Sequence, residues 1–359
     1  MSGDSVFLIS ALRSVVSHSE SPLWSKEIFS ESFWQALFGM AARQGVLAIV
    51  YDVVKDLPQE QQPMRNLKIQ WALSVESIER RYEKQHNISA FLADSFSEQG
   101  INTVVLKGLA ISGYYPIPSH RECGDLDCWL GAGYEIGNQI CEKLAARVNR
   151  DYYKDSTIIY RGLMVENHRF ILPIRGSRKM KTLERYLQNI ALKDERSFIS
   201  GTKLIKPSAD FNALFLTAHG INHFLSEGIK LRHILDWALF LKAEQNNINW
   251  EEFYHWTDRM NMTRFADALT AISVEYFGLQ ITNTAIHTTS PYAERILHDT
   301  LYNSGNVFNQ NASAWRKRLM LVRNKLSYGW KYHKIAQKSI IIELLRTIFA
   351  FVFERNPKL

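Results

Sequence analysis

The stretch that most limits how this chain can fold is residues 102–130, NTVVLKGLAISGYYPIPSHRECGDLDCWL. It reads as a strand, a Lys107-Gly108 turn, a short helix, a Pro-rich loop carrying Arg121, and a second strand bearing Asp125 and Asp127. Strand side chains alternate between faces, so residues two apart share one. Asp125 and Asp127 then project side by side, while Leu126, Cys128 and Leu130 turn the other way into a core. Neighbouring carboxylates with no cation between them repel and resist joint ionisation. A divalent cation removes that cost, and oxygen ligands suit Mg2+ or Mn2+. The local pattern is that of a metal site built to receive a phosphate.

Paired metal ions need a bridging carboxylate, and a third acid usually completes the cage. The segment 163–169, LMVENHR, supplies one. As a strand it puts Met164, Glu166 and His168 on one face and Val165 and Asn167 on the other. Glu166 is therefore expected beside Asp125 and Asp127, the three forming the metal-binding and catalytic set. His168 reads first as a hydrogen-bonded structural histidine, with a substrate role open.

On either side of this core the periodicity is helical. Ser30 is an N-cap ahead of an apolar stripe, Phe33, Trp34, Leu37, Phe38 and Ala41, and Gly45 is a stop. A longer pattern runs from about 64 through Trp71, Val75, Ile78, Tyr82 and Phe91 to Phe96, after a polar turn at 58–63. Strands are expected at 102–106, 125–130, 157–160 and 163–172, with a helix over 134–147. From about 209 the pattern is helical again. The expected fold class is α+β: an N-terminal helical region (1–99), an α/β core with a small mixed sheet and flanking helices (100–207), and a C-terminal helical region (208–359).

An apolar content of 46% and a charged content of 22% over 359 residues suit a soluble globular protein with two or three core-forming units. No signal-like leader and no uninterrupted apolar run of about 18 residues is seen, so a cytoplasmic protein without a membrane span is expected. Cys123, Cys128 and Cys141, odd in number and clustered, read as reduced thiols rather than a disulfide framework or zinc site. The apolar segment 339–353, broken by Glu343 and Arg346, is expected to pack within the protein or its oligomer rather than on a membrane. Much of the net charge of +7 gathers at 316–338, where Trp315, Tyr328, Trp330 and Tyr332 interleave with the lysines and arginines. The simpler reading is a solvated helix face with its aromatics inward; nucleic acid stays open as a partner for the region.

The ordered set Leu106-Lys107-Gly108, Arg121, Gly124-Asp125-Leu126-Asp127 and Val165-Glu166-Asn167-His168 resembles the polymerase-beta-like nucleotidyltransferase superfamily, and more narrowly its uncharacterised bacterial nucleotidyltransferase family. The flanking SFWQALFGMAARQGV and LFLTAHGINHF…GIKLRHILDWALFL are similar too, so the resemblance covers about 33–241. It implies a small nucleotidyltransferase sheet and metal-dependent transfer of an NMP group from an NTP such as ATP. The acceptor is an unidentified small molecule, protein or RNA, and pyrophosphate is released. Asp125, Asp127 and Glu166 would hold Mg2+ or Mn2+, and Lys107, Gly108, Arg121 and Gly124 would engage the nucleotide. Lys107 and Arg121 read equally well as ion partners of the Asp pair. Two positions depart from the pattern: Leu109 stands where the superfamily has a small hydroxyl residue, and Asn167 where an apolar residue is usual.

His219 and His223 lie four apart on a predicted helix with Phe215, Ala218, Ile221 and Leu225. Gly220 stands where a zinc protease carries its Glu, so packing or substrate contact is expected. Arg232 and Asp236 read as an i, i+4 helix ion pair that could line a cleft with the histidines. Two other function classes fit parts of the chain. A DxD glycosyltransferase would need a nucleotide-binding α/β region before Asp125, where 30–99 reads helical. A degenerate transferase domain acting as a nucleic-acid-binding or toxin–antitoxin module would explain Leu109.

Overall fold

A computed structural model describes residues 2–17, 28–174, 177–193, 197–303 and 328–341. The chain opens with α1 (Gly3–Ser17), followed by α2 (Glu31–Gln44) and α3 (Leu47–Lys55). At the start of α2 the Ser30 side chain accepts the Phe33 N–H at 3.2 Å, as expected of an N-cap. At its end Gly45 takes the left-handed φ of 68° that closes the last turn. The 33-residue helix α4 (Arg65–Ser97) follows a short turn at Gln59–Gln61. Between residue 28 and β1 (Thr103–Val105) the described residues contain helices and turns only, so the α/β region that a DxD glycosyltransferase reading requires is not there.

The four expected strands form, the one expected over 163–172 ending already at His168, and three more join them. After β1 come α5 (Leu109–Ser112), β2 (Asp125–Trp129) and α6 (Tyr134–Lys143). The helix expected over 134–147 stops early, because Ala145 adopts a positive φ of 60° and the chain turns into β3 (Arg147–Asn149). β4 (Asp155–Tyr160) and β5 (Leu163–His168) make a hairpin. α7 (Arg178–Lys193), β6 (Ser197–Phe198) and β7 (Leu204–Lys206) follow. The seven strands run in the order β3-β4-β5-β2-β1-β7-β6, with β2–β5 and β1–β7 parallel and the other pairs antiparallel. The three extra strands have two or three residues each, too few for a period of two to declare itself.

The C-terminal helices are α8 (Ala209–Ser226), α9 (Leu231–Glu244), α10 (Trp250–Met260), α11 (Thr263–Glu275) and α12 (Ala293–Asn303). Their large side chains, Phe211, Phe224, Trp237 and Phe265, share one continuous core with Trp34 and Trp71 of the N-terminal helices. A second core lies on the opposite face of the sheet, where Leu92 and Phe96 of α4 meet Val105, Leu126, Cys128 and Val165. Asn167, the polar departure on β5, points into this side. Its Nδ2 donates to the Tyr134 carbonyl and to Asn138 Oδ1, both at 2.9 Å, fastening α6 to the sheet.

Most of the basic 316–338 region and of the apolar 339–353 segment falls outside the described residues. Lys331 falls within them, on a single π-helical turn (Lys331–Ile335), and does not join a solvated face. It is 0% exposed, ion-paired with Asp299, and its ammonium lies over the Phe224 and Tyr328 rings. Tyr328 and Tyr332 are buried beside it, so here the aromatics do turn inward. No helix among the described residues is long and apolar enough to cross a membrane.

Candidate functional site

The parallel pairing of β2 with β5 places Asp127 opposite Glu166 and Asp125 opposite Met164. With a side-chain period of two, Asp125, Asp127, Glu166 and His168 all face α8 and α9, while Leu126, Cys128 and Val165 lie in the far core. Glu166 thus points to the same side as the two aspartates. The ligand atoms of Asp127, Glu166 and His168 come within 4.8 Å of one another. His168 Nε2 is 3.2 Å from Asp127 Oδ1 and 3.6 Å from Glu166 Oε2. Asp125 stands next along β2, half-buried, and is not one of that close trio.

Lys107 closes the site from the β1–α5 turn, its Nζ 3.1 Å from Asp127 Oδ2. Burial alone would press the Lys107 ammonium toward neutrality, but Asp127, Asp125 and Glu166 outweigh it and hold the proton more tightly than usual. Burial likewise disfavours an ionised Asp127. The Lys107 charge and the His168 hydrogen bond win, keeping its carboxyl well below the ordinary range. Asp125 goes the other way: burial and the neighbouring Asp127 charge raise its proton affinity. The His168 ring is buried, which favours the neutral form, yet its bonds to Asp127 and Glu166 raise its proton affinity overall.

These residues fit a cation. Asp127 Oδ2 is shielded from solvent and receives no well-directed hydrogen bond, only the Lys107 ion pair. A buried carboxylate oxygen so placed is a ready ligand, and two carboxylates with one imidazole form a mixed oxygen and nitrogen donor set that divalent metals accept. Lys107 meanwhile supplies the positive charge that the acids require.

Two cavities meet at this point. One, of about 610 Å³, is lined by Asp125, Asp127, Glu166, Lys107, Tyr152 and Lys154. The other, of about 540 Å³, lies between the sheet and α8–α9 and is lined by His219, His223, Lys230, Arg232 and His233, with Trp237 and Phe265 among its apolar walls. Lys107, Asp125, His219 and His223 border both. His219 stacks on Phe215 with ring centroids 5.6 Å apart and meets His223 edge-on at 4.4 Å. Burial, with Lys107 nearby, lowers the proton affinity of His219 far enough to keep the ring neutral. The close metal-ligand trio among the described residues is Asp127, Glu166 and His168, so the H-x-x-x-H pair contributes walls rather than a zinc site.

Arg121 is held by a different partner from the one its position suggested. Its Nε and Nη2 donate to the two Asp236 oxygens at 2.8 Å each, and Nη1 reaches Cys123 Sγ at 3.1 Å. Asp236 therefore pairs with Arg121 and not with Arg232, whose Nη1 donates to the Glu122 carbonyl at 2.7 Å. Gly108 adopts φ 60° as the chain turns from β1 into α5, a conformation that glycine alone takes freely. Gly124 has nothing within 4 Å of where a Cβ would sit, so space alone does not demand a glycine there. Leu109 is buried in the far core with Leu126, so the side chain at this position serves packing.

Lys154, Tyr152, Lys230 and His233 also line the cavities without having been singled out. His233 and Lys230 sit in a stretch, GIKLRHILD, whose only local signal is its density of polar residues in an apolar helix. A family model described as an uncharacterised nucleotidyltransferase matches residues 30–278. No curated protein and no solved structure matches the chain.

Proposed function

This chain belongs to the uncharacterised nucleotidyltransferase family, and we propose that it moves an NMP group from an NTP to an acceptor and releases pyrophosphate. The observation that carries this reading is the convergence of Asp127 and Glu166 from two parallel strands onto one side of the sheet, beside a cavity that holds cations as well as acids. Asp127 and Glu166, with Asp125 and His168 beside them, are the residues to hold Mg2+ or Mn2+. When bound, such an ion draws electron density from the phosphate and offsets charge growing on the leaving pyrophosphate.

The chain's own residues supply the rest. Lys107 and Lys154 line the larger cavity and offer their ammonium groups to the triphosphate. Gly108 takes the positive φ at which the chain turns from β1 into α5, next to Lys107, whose ammonium reaches Asp127. Arg121, occupied by Asp236, acts by fixing the segment that leads into β2. Asp125 borders both cavities, and we assign to its carboxylate the proton of an acceptor hydroxyl. The three buried, free cysteines accord with a reducing, cytoplasmic setting.

Incubation with labelled NTPs and Mg2+ or Mn2+, scored by pyrophosphate release, tests the reading. Divalent-dependent turnover should vanish in Asp125→Ala and Asp127→Asn. Turnover that persists unchanged in both would refute the assignment.

A further inference from the structure

The smaller cavity carries two cationic side chains that no carboxylate among the described residues contacts directly; Glu227 and Asp236 act on them only from a longer distance. Around its wall most of the other charged groups have partners: Lys107 with Asp127, Arg121 with Asp236, and Glu227 with His223 at 2.5 Å, while Asp125 stands at the junction with the other cavity. Lys230 and Arg232 have no such partner. Both are half-buried, and neither has a carboxylate within ion-pair distance among the described residues. Arg232 Nε is shielded from solvent yet donates to nothing. Partly burying two neighbouring cations without a counter-ion costs free energy, which a bound anion offsets.

His233 stands with them as a fixed hydrogen-bond donor. Its Nδ1 accepts the Lys230 backbone N–H at 3.0 Å, so in the neutral ring Nε2 carries the proton. Burial, together with Arg232, keeps that ring neutral. The Nε2–H has no acceptor among the described residues. An ammonium, a guanidinium and an imidazole N–H, from three positions within four residues, therefore line a cavity of about 540 Å³, inside the roughly 300–1,000 Å³ range of small-molecule sites.

We infer that Lys230, Arg232 and His233 form an anion subsite that binds the phosphate or carboxylate group of the acceptor, a small hydroxylated molecule. The inference rests on the nucleotidyltransfer reading above and extends it. Asp127, Glu166 and Lys154 line only the other cavity, which leaves the triphosphate there. Asp125 and Lys107 stand at the junction, so an acceptor anchored by its anion presents a hydroxyl to Asp125.

The test is calorimetric titration of the full chain with inorganic phosphate, with and without Mg2+ and a saturating non-hydrolysable NTP analogue. Phosphate should bind in both conditions. Lys230→Gln and Arg232→Gln should each weaken it about tenfold, roughly 1.4 kcal/mol, and change analogue affinity less than about twofold. Lys230 makes no side-chain bond that the fold depends on, so Lys230→Gln keeps the test sound should Arg232→Gln lose its Glu122 contact and misfold. The subsite is overturned by a wild-type protein that ignores phosphate, or by phosphate binding that is the same in Lys230→Gln. Displacement of phosphate by the analogue also overturns it, assigning the anion to the triphosphate instead. Should the analogue fail to bind while phosphate still depends on Lys230, the nucleotide reading falls and the anion subsite stands.

Discussion

Lys107 Nζ stands 3.1 Å from Asp127 Oδ2, while the other oxygen of the same carboxylate meets His168 Nε2 at 3.2 Å. A divalent ion taken up by Asp127 and Glu166 competes with that ammonium for one oxygen. Lys107→Gln should therefore tighten Mn2+ binding about fivefold to tenfold, on the order of 1 kcal/mol, because a like charge is removed from the site. The same variant should weaken binding of an NTP analogue, since the triphosphate then loses an ammonium partner. Mn2+ titration by electron paramagnetic resonance measures the first effect. Weaker Mn2+ binding in Lys107→Gln would mean that the lysine supports the metal rather than standing in for it.

Removal of a metal-binding acid acts on the chemistry itself. Asp127→Asn and Glu166→Gln should each lower divalent-dependent turnover at least ~10³-fold, about 4 kcal/mol of barrier. His168→Asn keeps a polar group but loses the bonds that orient both acids, and should weaken metal binding about 10- to 100-fold. Turnover and Mn2+ affinity measured side by side separate the two roles. Wild-type Mn2+ affinity in His168→Asn would show that the ring is only a packing element.

The Arg121–Asp236 pair joins the lead-in to β2 with α9, both partners 6% exposed or less, and the Tyr115 hydroxyl donates to the same carboxylate at 2.6 Å. Removing one member strands the other charge in the interior. Arg121→Ala or Asp236→Ala should each destabilise the fold by about 3–5 kcal/mol, and Arg121→Met with Asp236→Leu should recover most of that loss. Urea unfolding of the two singles and the double reads this directly. Singles that each cost below about 1 kcal/mol would rule the pair out as an anchor.

His120 makes stability depend on pH. Its Nδ1 lies 2.6 Å from Asp52 and its Nε2 2.9 Å from Glu79, so the ring ties the segment before Arg121 to α3 and α4. Burial favours the neutral ring, but the two carboxylates outweigh it and raise the folded-state proton affinity above the ordinary 6.5. The folded chain then binds the proton more tightly than the unfolded one. The added stability is fully present below about pH 6.5 and is lost as pH rises through the raised folded value. The stability gap between wild type and His120→Gln should shrink as urea unfolding moves from pH 6 to pH 9. A gap that widens over that range contradicts the assignment.

Much of the site was legible because its logic is local. Alternation on 125–130 and 163–168 is clear since each strand has one face in a core, and that alone put Asp127 and Glu166 on definite faces. Ser30 and Gly45 could be read as caps because each acts within four residues of itself. Long-range pairings were less visible. Asp236 has an arginine at i−4 on its own helix, yet its partner is Arg121, 115 residues away, because the β2 lead-in brings a buried guanidinium to it. His168 looked structural, and only the register opposite Trp129 shows that its ring reaches both acids. β6 and β7 depend on pairing with each other and with β1, which no short window of residues reveals.

β2 and β5 lie inside a seven-stranded sheet, with neighbours on both edges. Core strands of this kind belong to the part of a fold that opens least readily. The acids are thus mounted on strands hydrogen-bonded on both sides, whereas the opposite wall begins at a short link between α8 and α9 that includes Gly228 at φ 89°. That link borders the smaller cavity and holds none of the acids on β2 and β5, so variation at 227–230 should retune what the protein accepts while leaving those acids in register.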